Sequence, residues 1–163
     1  MAKVVVVYLS QSGFTQKYAM WIARELHCEV VDSKFVTTPD LVQARLVVYG
    51  AHAKNSGVMG FRQFYARFQL SLPQQMIVFG TGIQPAAQLD LSGIRERTFR
   101  KCQREPQLFY FNGQVDESAL PLRLKLPYHY HQRRLTEAPP QCGVRTILPL
   151  LEAVDRLDEK GLL

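Results

Sequence analysis

Val4, Val5, Val6 and Val7 are four β-branched residues in a row, and the apolar run continues through Tyr8 and Leu9. A run with no polar alternation fits a strand buried on both faces, which requires a parallel sheet covered by helices above and below. Ser10-Gln-Ser-Gly-Phe-Thr15 follows, and then Tyr18, Ile22 and Leu26 recur every four residues with Ala19 and Ala23 beside them. That is strand, turn and helix. The pattern repeats along the chain. Glu29 to Asp32 reads as a second strand, and Thr38-Pro39-Asp40 as the N-cap, proline and acidic first turn of a short helix. Arg45 to Gly50 reads as the third strand, Met76 to Gly80 as the fourth and Leu108 to Phe111 as the fifth. Between them lie a helix marked by Phe61, Phe64, Tyr65 and Phe68 and a weaker basic one marked by Leu91, Ile94 and Cys102. Ile147, Leu150, Leu151, Val154 and Leu157 mark a last helix. The sum is an α/β fold, a three-layer α/β/α sandwich around a five-stranded parallel sheet.

The chain of 163 residues is read as a single domain, 1–163, with an irregular basic insertion at about 113–143. That insertion holds prolines at 121, 127, 139 and 140, and Leu120, Leu122, Leu124 and Leu126 alternate along it like an extended edge segment. At 47% hydrophobic and 21% charged residues, the chain has enough apolar matter for a core and is not of disordered composition. The charge-free run from Phe68 to Leu89 carries two prolines, two glycines and five glutamines, which argues against a membrane span. With no signal-peptide pattern after Met1, the expected compartment is the cytoplasm. Cys28, Cys102 and Cys142 are few and far apart, so reduced structural thiols are expected rather than a disulfide framework. Lys plus Arg is 20 against 14 for Asp plus Glu, and Arg95 to Arg145 holds ten basic residues against five acidic. That stretch suits an anionic partner or surface, and equally an ordinary solvated face.

In open sheets of this kind the ligand crevice lies at the carboxyl ends of the strands, where the winding reverses. The loops to examine are Ser10 to Thr15, Ala51 to Gly60 and Thr81 to Gln88. In the first, Ser10, Ser12 and Thr15 offer hydroxyls, Gly13 permits a tight turn, and the following helix aims its free amides and positive dipole end into the loop. A phosphate monoester fits there; so does the plainer reading of an ordinary helix cap. The loop contains no Lys or Arg, neither G-x-x-x-x-G-K-[ST] nor G-x-G-x-x-G is present, and triphosphate and dinucleotide binding are disfavoured. His129, His131 and Cys142 lack a convincing fourth ligand for zinc, so no metal site is expected. The aromatic and basic mix from Leu126 to Arg134 carries no nucleic-acid fold signature, and nucleic acid is not an expected partner. Trp21 reads as packing, and no spacing supports a hydrolytic triad or a paired-carboxylate site.

Ser10-Gln-Ser-Gly-Phe-Thr15 satisfies every fixed position of [ST]-x-[ST]-G-x-[ST], the first-loop pattern of flavodoxins, which this chain resembles. The likeness extends through Val48-Tyr-Gly-Ala51 and Val78-Phe-Gly-Thr81, over roughly the first 112 residues. It implies sheet order 2-1-3-4-5 and noncovalent FMN. Ser10, Gln11, Ser12, Gly13, Phe14 and Thr15 would then hold the phosphate, with Ala51, His52, Ala53, Lys54, Thr81, Gly82 and Ile83 near the ring. Of these, His52 is the only residue with an aromatic ring in the second and third loops, where the family usually stacks aromatics, and it reads more readily as a surface histidine than as a catalytic one. No catalytic residue is singled out. The element Gly113-Gln-Val-Asp116 and the basic residues after it are similar to flavodoxin-domain proteins related to menaquinone-dependent protoporphyrinogen oxidase, although Thr81 to Gln88 is short where that subfamily carries a long insertion. The resemblance implies electron transfer or a small FMN-dependent oxidoreductase reaction, with a redox partner or an acceptor such as a quinone. Peripheral contact with an anionic membrane surface goes with it. The alternative is a partner-docking module of the same fold without cofactor.

Overall fold

In a computed structural model, residues 3–11, 13–112, 114–115, 141–142 and 146–163 are described. The chain runs β1 (Val4–Leu9), α1 (Phe14–Glu25), β2 (Glu29–Asp32), α2 (Thr38–Val42), β3 (Leu46–Lys54), β4 (Gly57–Val58) and α3 (Phe61–Phe68). It continues as β5 (Gln75–Gly82), a 3-10 turn at Ala86–Gln88, α4 (Leu91–Phe99), β6 (Gln107–Asn112), β7 (Gln114–Val115), β8 (Gln141–Cys142) and α5 (Leu148–Glu159). The five long strands form one parallel sheet in the order β2-β1-β3-β5-β6, which is the 2-1-3-4-5 order of the main strands. β4 is an extra two-residue strand lying antiparallel on β3. β7 and β8 pair separately in parallel; between them, the expected edge segment at Leu120 to Pro127 and the histidines at 129 and 131 lie outside the described residues.

The uninterrupted valine run does what its composition demands. Val6, with Val48, Ile77, Phe79 and Phe111, packs under α1 and α5 against Tyr18, Trp21, Ile22 and Leu150. Val5 and Val7, with Val47, Tyr49 and Val78, pack under α2, α3 and α4 against Leu41, Phe61, Phe64, Ile94 and Phe99. Each fully buried side chain of this kind stabilises by roughly 1.5–3 kcal/mol, so the two cores rather than any loop hold the sheet together. Trp21 is fully buried in the first of them.

Several boundaries differ from the sequence reading. α2 is capped by Thr37 rather than Thr38: the Thr37 N–H and hydroxyl each donate to Asp40 Oδ2 at 2.8 Å. Those bonds hold the Asp40 carboxyl below its ordinary range. β3 continues four residues past Gly50 to Lys54, and β5 runs to Gly82, so part of each expected loop is strand. Cys28 and Cys102 are free thiols, each pushed up to about 11 by burial and, secondarily, by a nearby glutamate. Among the described residues no helix is long and apolar enough to cross a membrane.

Candidate functional site

β1 has β2 on one side and β3 on the other, so the winding reverses at its carboxyl end. There the chain leaves Leu9, turns through Gly13 at φ +84°, and enters α1. That left-handed conformation is open to glycine at little cost. The Gly13 N–H donates to Ser10 Oγ at 2.9 Å. The first backbone bond returning to the turn is from Lys17 N to the Gly13 carbonyl at 3.2 Å. Phe14, Thr15 and Gln16 are the first three helical residues, so their N–H groups have no acceptor in the helix and carry its positive dipole end. No acidic side chain lies in this first turn. Ser12 lies outside the described residues. Gln11 is exposed, whereas the Phe14 ring turns inward and meets Tyr18 edge-on.

The pattern by itself gives the Thr15 hydroxyl to the phosphate. In the structure that hydroxyl lies 2.8 Å from Thr81 Oγ1, with both residues buried. The bond links the first turn of α1 to the end of β5.

The second predicted loop is a fixed hairpin. Ala53 pairs with Val58 and Lys54 with Gly57, and Met59 N donates to the His52 carbonyl at 2.9 Å. Strand alternation buries Ala51 and Ala53 and exposes His52 and Lys54. α4 holds the hairpin: Val58 N donates to Thr98 Oγ1 at 3.0 Å, Thr98 Oγ1 donates to the Ile94 carbonyl at 2.6 Å, and Arg97 donates to the Asn55 carbonyl. Gly57, at φ +126°, lies so close that a β-carbon there would be 2.9 Å from Thr98 Oγ1. From below, the Tyr49 hydroxyl donates to the Met59 carbonyl at 2.8 Å.

Two cavities meet over these strand ends. One, of about 300 Å³, is bounded by Gln11, Phe14 and Thr15 on one side and by His52, Lys54, Met59 and Thr81 on the other. The second, of about 360 Å³, shares His52 and Lys54 and continues past Ala53 to Gly82, Ile83, Gln84 and Tyr110. The structure thus brings Gln11, Phe14, Thr15, His52, Ala53, Lys54, Thr81, Gly82 and Ile83 to one crevice. Ala51 is buried in the sheet beneath it, and Ser10 caps its turn. A larger cavity of about 470 Å³ lies at the amino ends of β5 and β6, by Gln75 and Gln107, and includes none of these residues.

Tyr110 was not among the predicted residues. It comes from edge strand β6, and its hydroxyl donates to the Gln84 carbonyl at 2.6 Å, fixing the turn after β5. It lies so close to Gly82 that a β-carbon there would fall 2.5 Å from the phenol oxygen. In register Tyr110 pairs with Gly80 and Gly82 with Asn112, so the tyrosine reaches Gly82 diagonally, a meeting the sequence does not mark. Among the described residues no cluster of His, Cys, Asp or Glu could hold a metal.

The sequence model of one protein family, described as Flavodoxin domain, matches residues 5–126. No curated protein matches the chain. Among solved structures it is similar to a flavodoxin, WrbA-like protein from Agrobacterium tumefaciens, at 15% identity and TM-score 0.51, covering 82% of this chain and 94% of that one. It is similar to the Trp repressor binding protein from Bacillus subtilis at 14% identity and TM-score 0.52, covering 85% and 100%. It is also similar to the two-electron reduced flavodoxin of Megasphaera elsdenii, at 17% identity and TM-score 0.51, covering 67% and 83%. At such identities these structures establish the shared fold.

Proposed function

Since this chain belongs to the flavodoxin domain family, we propose that it binds FMN noncovalently and works in electron transfer or as a small flavin-dependent oxidoreductase. The observation that carries this reading is the α1 entrance. The first three amides of α1 have no acceptor in the helix, its first turn brings no acid of its own, and Phe14 and Thr15 of that turn line the crevice. Such a cradle neutralises a phosphate with oriented N–H groups and the helix dipole instead of a cation.

When bound, the flavin supplies the hydride and electron chemistry. The chain binds and orients it. The amides of Phe14, Thr15 and Gln16 anchor the phosphate, and the hairpin from His52 to Val58 stands as a rigid wall. Lys54, exposed on that wall, places a positive charge at the crevice and favours negative charge on the group lying beside it. Ile83, also exposed, offers an aliphatic cover. The likeness to protoporphyrinogen oxidase relatives adds a quinone acceptor and a porphyrinogen substrate to this reading, and the basic balance adds contact with an anionic membrane surface. Gly113 and Asp116, on which that likeness rests, lie outside the described residues.

The aromatic-poor connections after β3 and β5 favour a second reading, a docking module without cofactor. The purified protein's visible spectrum and a titration with FMN separate the two. Flavin absorbance, or quenching of FMN fluorescence at equimolar protein, supports the first. A colourless protein that leaves FMN fluorescence unchanged overturns it.

A further inference from the structure

The wall from His52 to Val58 is not held by its own pairing alone. β4 is two residues long and pairs with β3, and further hydrogen bonds reach the hairpin from α4. They land on either side of the Lys54–Gly57 pair. Arg97 donates to the carbonyl of Asn55, the residue after Lys54, and Thr98 Oγ1 accepts at 3.0 Å from N of Val58, the residue after Gly57. The two are unequal. Arg97 reaches an exposed carbonyl, whereas Thr98 is 2% exposed and its single proton is committed to the Ile94 carbonyl at 2.6 Å. The hydroxyl oxygen is thereby left as the acceptor that the buried Val58 N–H meets. Gly57 has no β-carbon to hold the hairpin off that oxygen.

Thr98 bounds neither of the two crevice cavities, while Lys54, one residue pair from its anchor, is exposed and bounds both. On the FMN reading, a flavin that has taken up two electrons and one proton brings one more negative charge into the crevice than the oxidised form. Resting on that reading, we infer that Thr98 is a positioning residue: it sets where the wall carries Lys54, and so how strongly the protein favours reduced over oxidised flavin. A lysine on a fixed wall acts from one place. On a loosened wall its ammonium turns toward water, where the same charge is screened.

Thr98→Val keeps the side-chain shape and removes the acceptor. The FMN-loaded protein is titrated anaerobically with dithionite against a reference dye, with Lys54 present and in a Lys54→Gln background. The valine variant is expected to show a more negative potential than wild type, equivalent to reduced FMN losing about two- to fivefold more affinity than oxidised FMN. Thr98→Ser, which restores the hydroxyl, should return most of the shift. In the Lys54→Gln background the valine substitution should move the potential less than about half as far, because both changes act through one charge. A valine variant whose potential is unmoved or raised overturns the inference. So does a shift of equal size with and without Lys54, or a serine variant displaced as far as the valine one, and in each case the FMN reading stands. Thr98→Ala makes the same comparison where the valine variant does not fold. A wild-type protein that binds no FMN overturns both.

Discussion

Two helices of this protein begin in opposite ways. α2 starts at Thr37, and the Asp40 carboxylate already sits over its first turn, accepting from the Thr37 N–H and hydroxyl. α1 starts at Gly13, has no acid in its first turn, and among the described residues receives side-chain help only at Gly13 itself, from Ser10. α4 sides with α2, since Asp90 accepts from Gly93 N at 3.0 Å. α3 and α5, like α1, have no acid in their first turn, so the anion is a feature of α2 and α4 and not of every helix end here. On the FMN reading, the α1 end leaves that place for an anion from outside.

Three measurements press on this contrast. The largest effect is expected from Gly13→Val, which forces a β-branched residue to φ +84° at a cost of about 1–3 kcal/mol in stability. Because the cradle distorts with it, FMN binding should fall at least about tenfold more than riboflavin binding. Equal falls would mean that the phosphate is held elsewhere. Next comes Gln16→Asp, which gives α1 an acid in its first turn, as α2 has. Unfolding by urea should show the unliganded variant more stable by roughly 0.3–1 kcal/mol, and FMN weakened by roughly two- to fivefold with riboflavin nearly unmoved. A variant that gains stability without losing FMN would break the comparison.

The smallest effect is Asp40→Asn at the sealed end. The folded-state pKa of Asp40 is lowered, so its carboxylate contributes stability that is present above the unfolded-state value near 3.8 and is lost as pH falls through the folded one. Wild type should therefore lose a small increment of stability below about pH 4 that the asparagine variant never has. Matching acid unfolding curves for the two would show the capping bonds to be idle. FMN binding should be the same in both.

Much of this was legible in the chain itself. Val4 to Leu9 and the four-residue spacing of Tyr18, Ile22 and Leu26 specify β1 and α1, because burial on two faces and on one stripe leaves different periodicities. The hexapeptide from Ser10 to Thr15 marks the crevice entrance. Less legible was the far wall. Ala51-His-Ala-Lys54 has little strand preference, and it is extended because β5 and β4 pair with it, a case of tertiary context overriding propensity. The Thr37 cap was missed by one position because Thr37 and Thr38 have the same cap chemistry and only the backbone turn selects between them. The Thr15–Thr81 bond joins residues 66 positions apart, and Tyr110 reaches the crevice from a neighbouring strand. No local pattern records such meetings.

The grip of Thr98 on Val58 has a consequence for the timescale of the crevice. A two-residue strand at the tip of a hairpin ordinarily frays, and its amide protons trade with solvent quickly. Here the Val58 proton is held by a buried hydroxyl rooted in α4. Its exchange should keep pace with the interior of that helix, so that opening of the wall becomes as infrequent an event as melting of α4 itself.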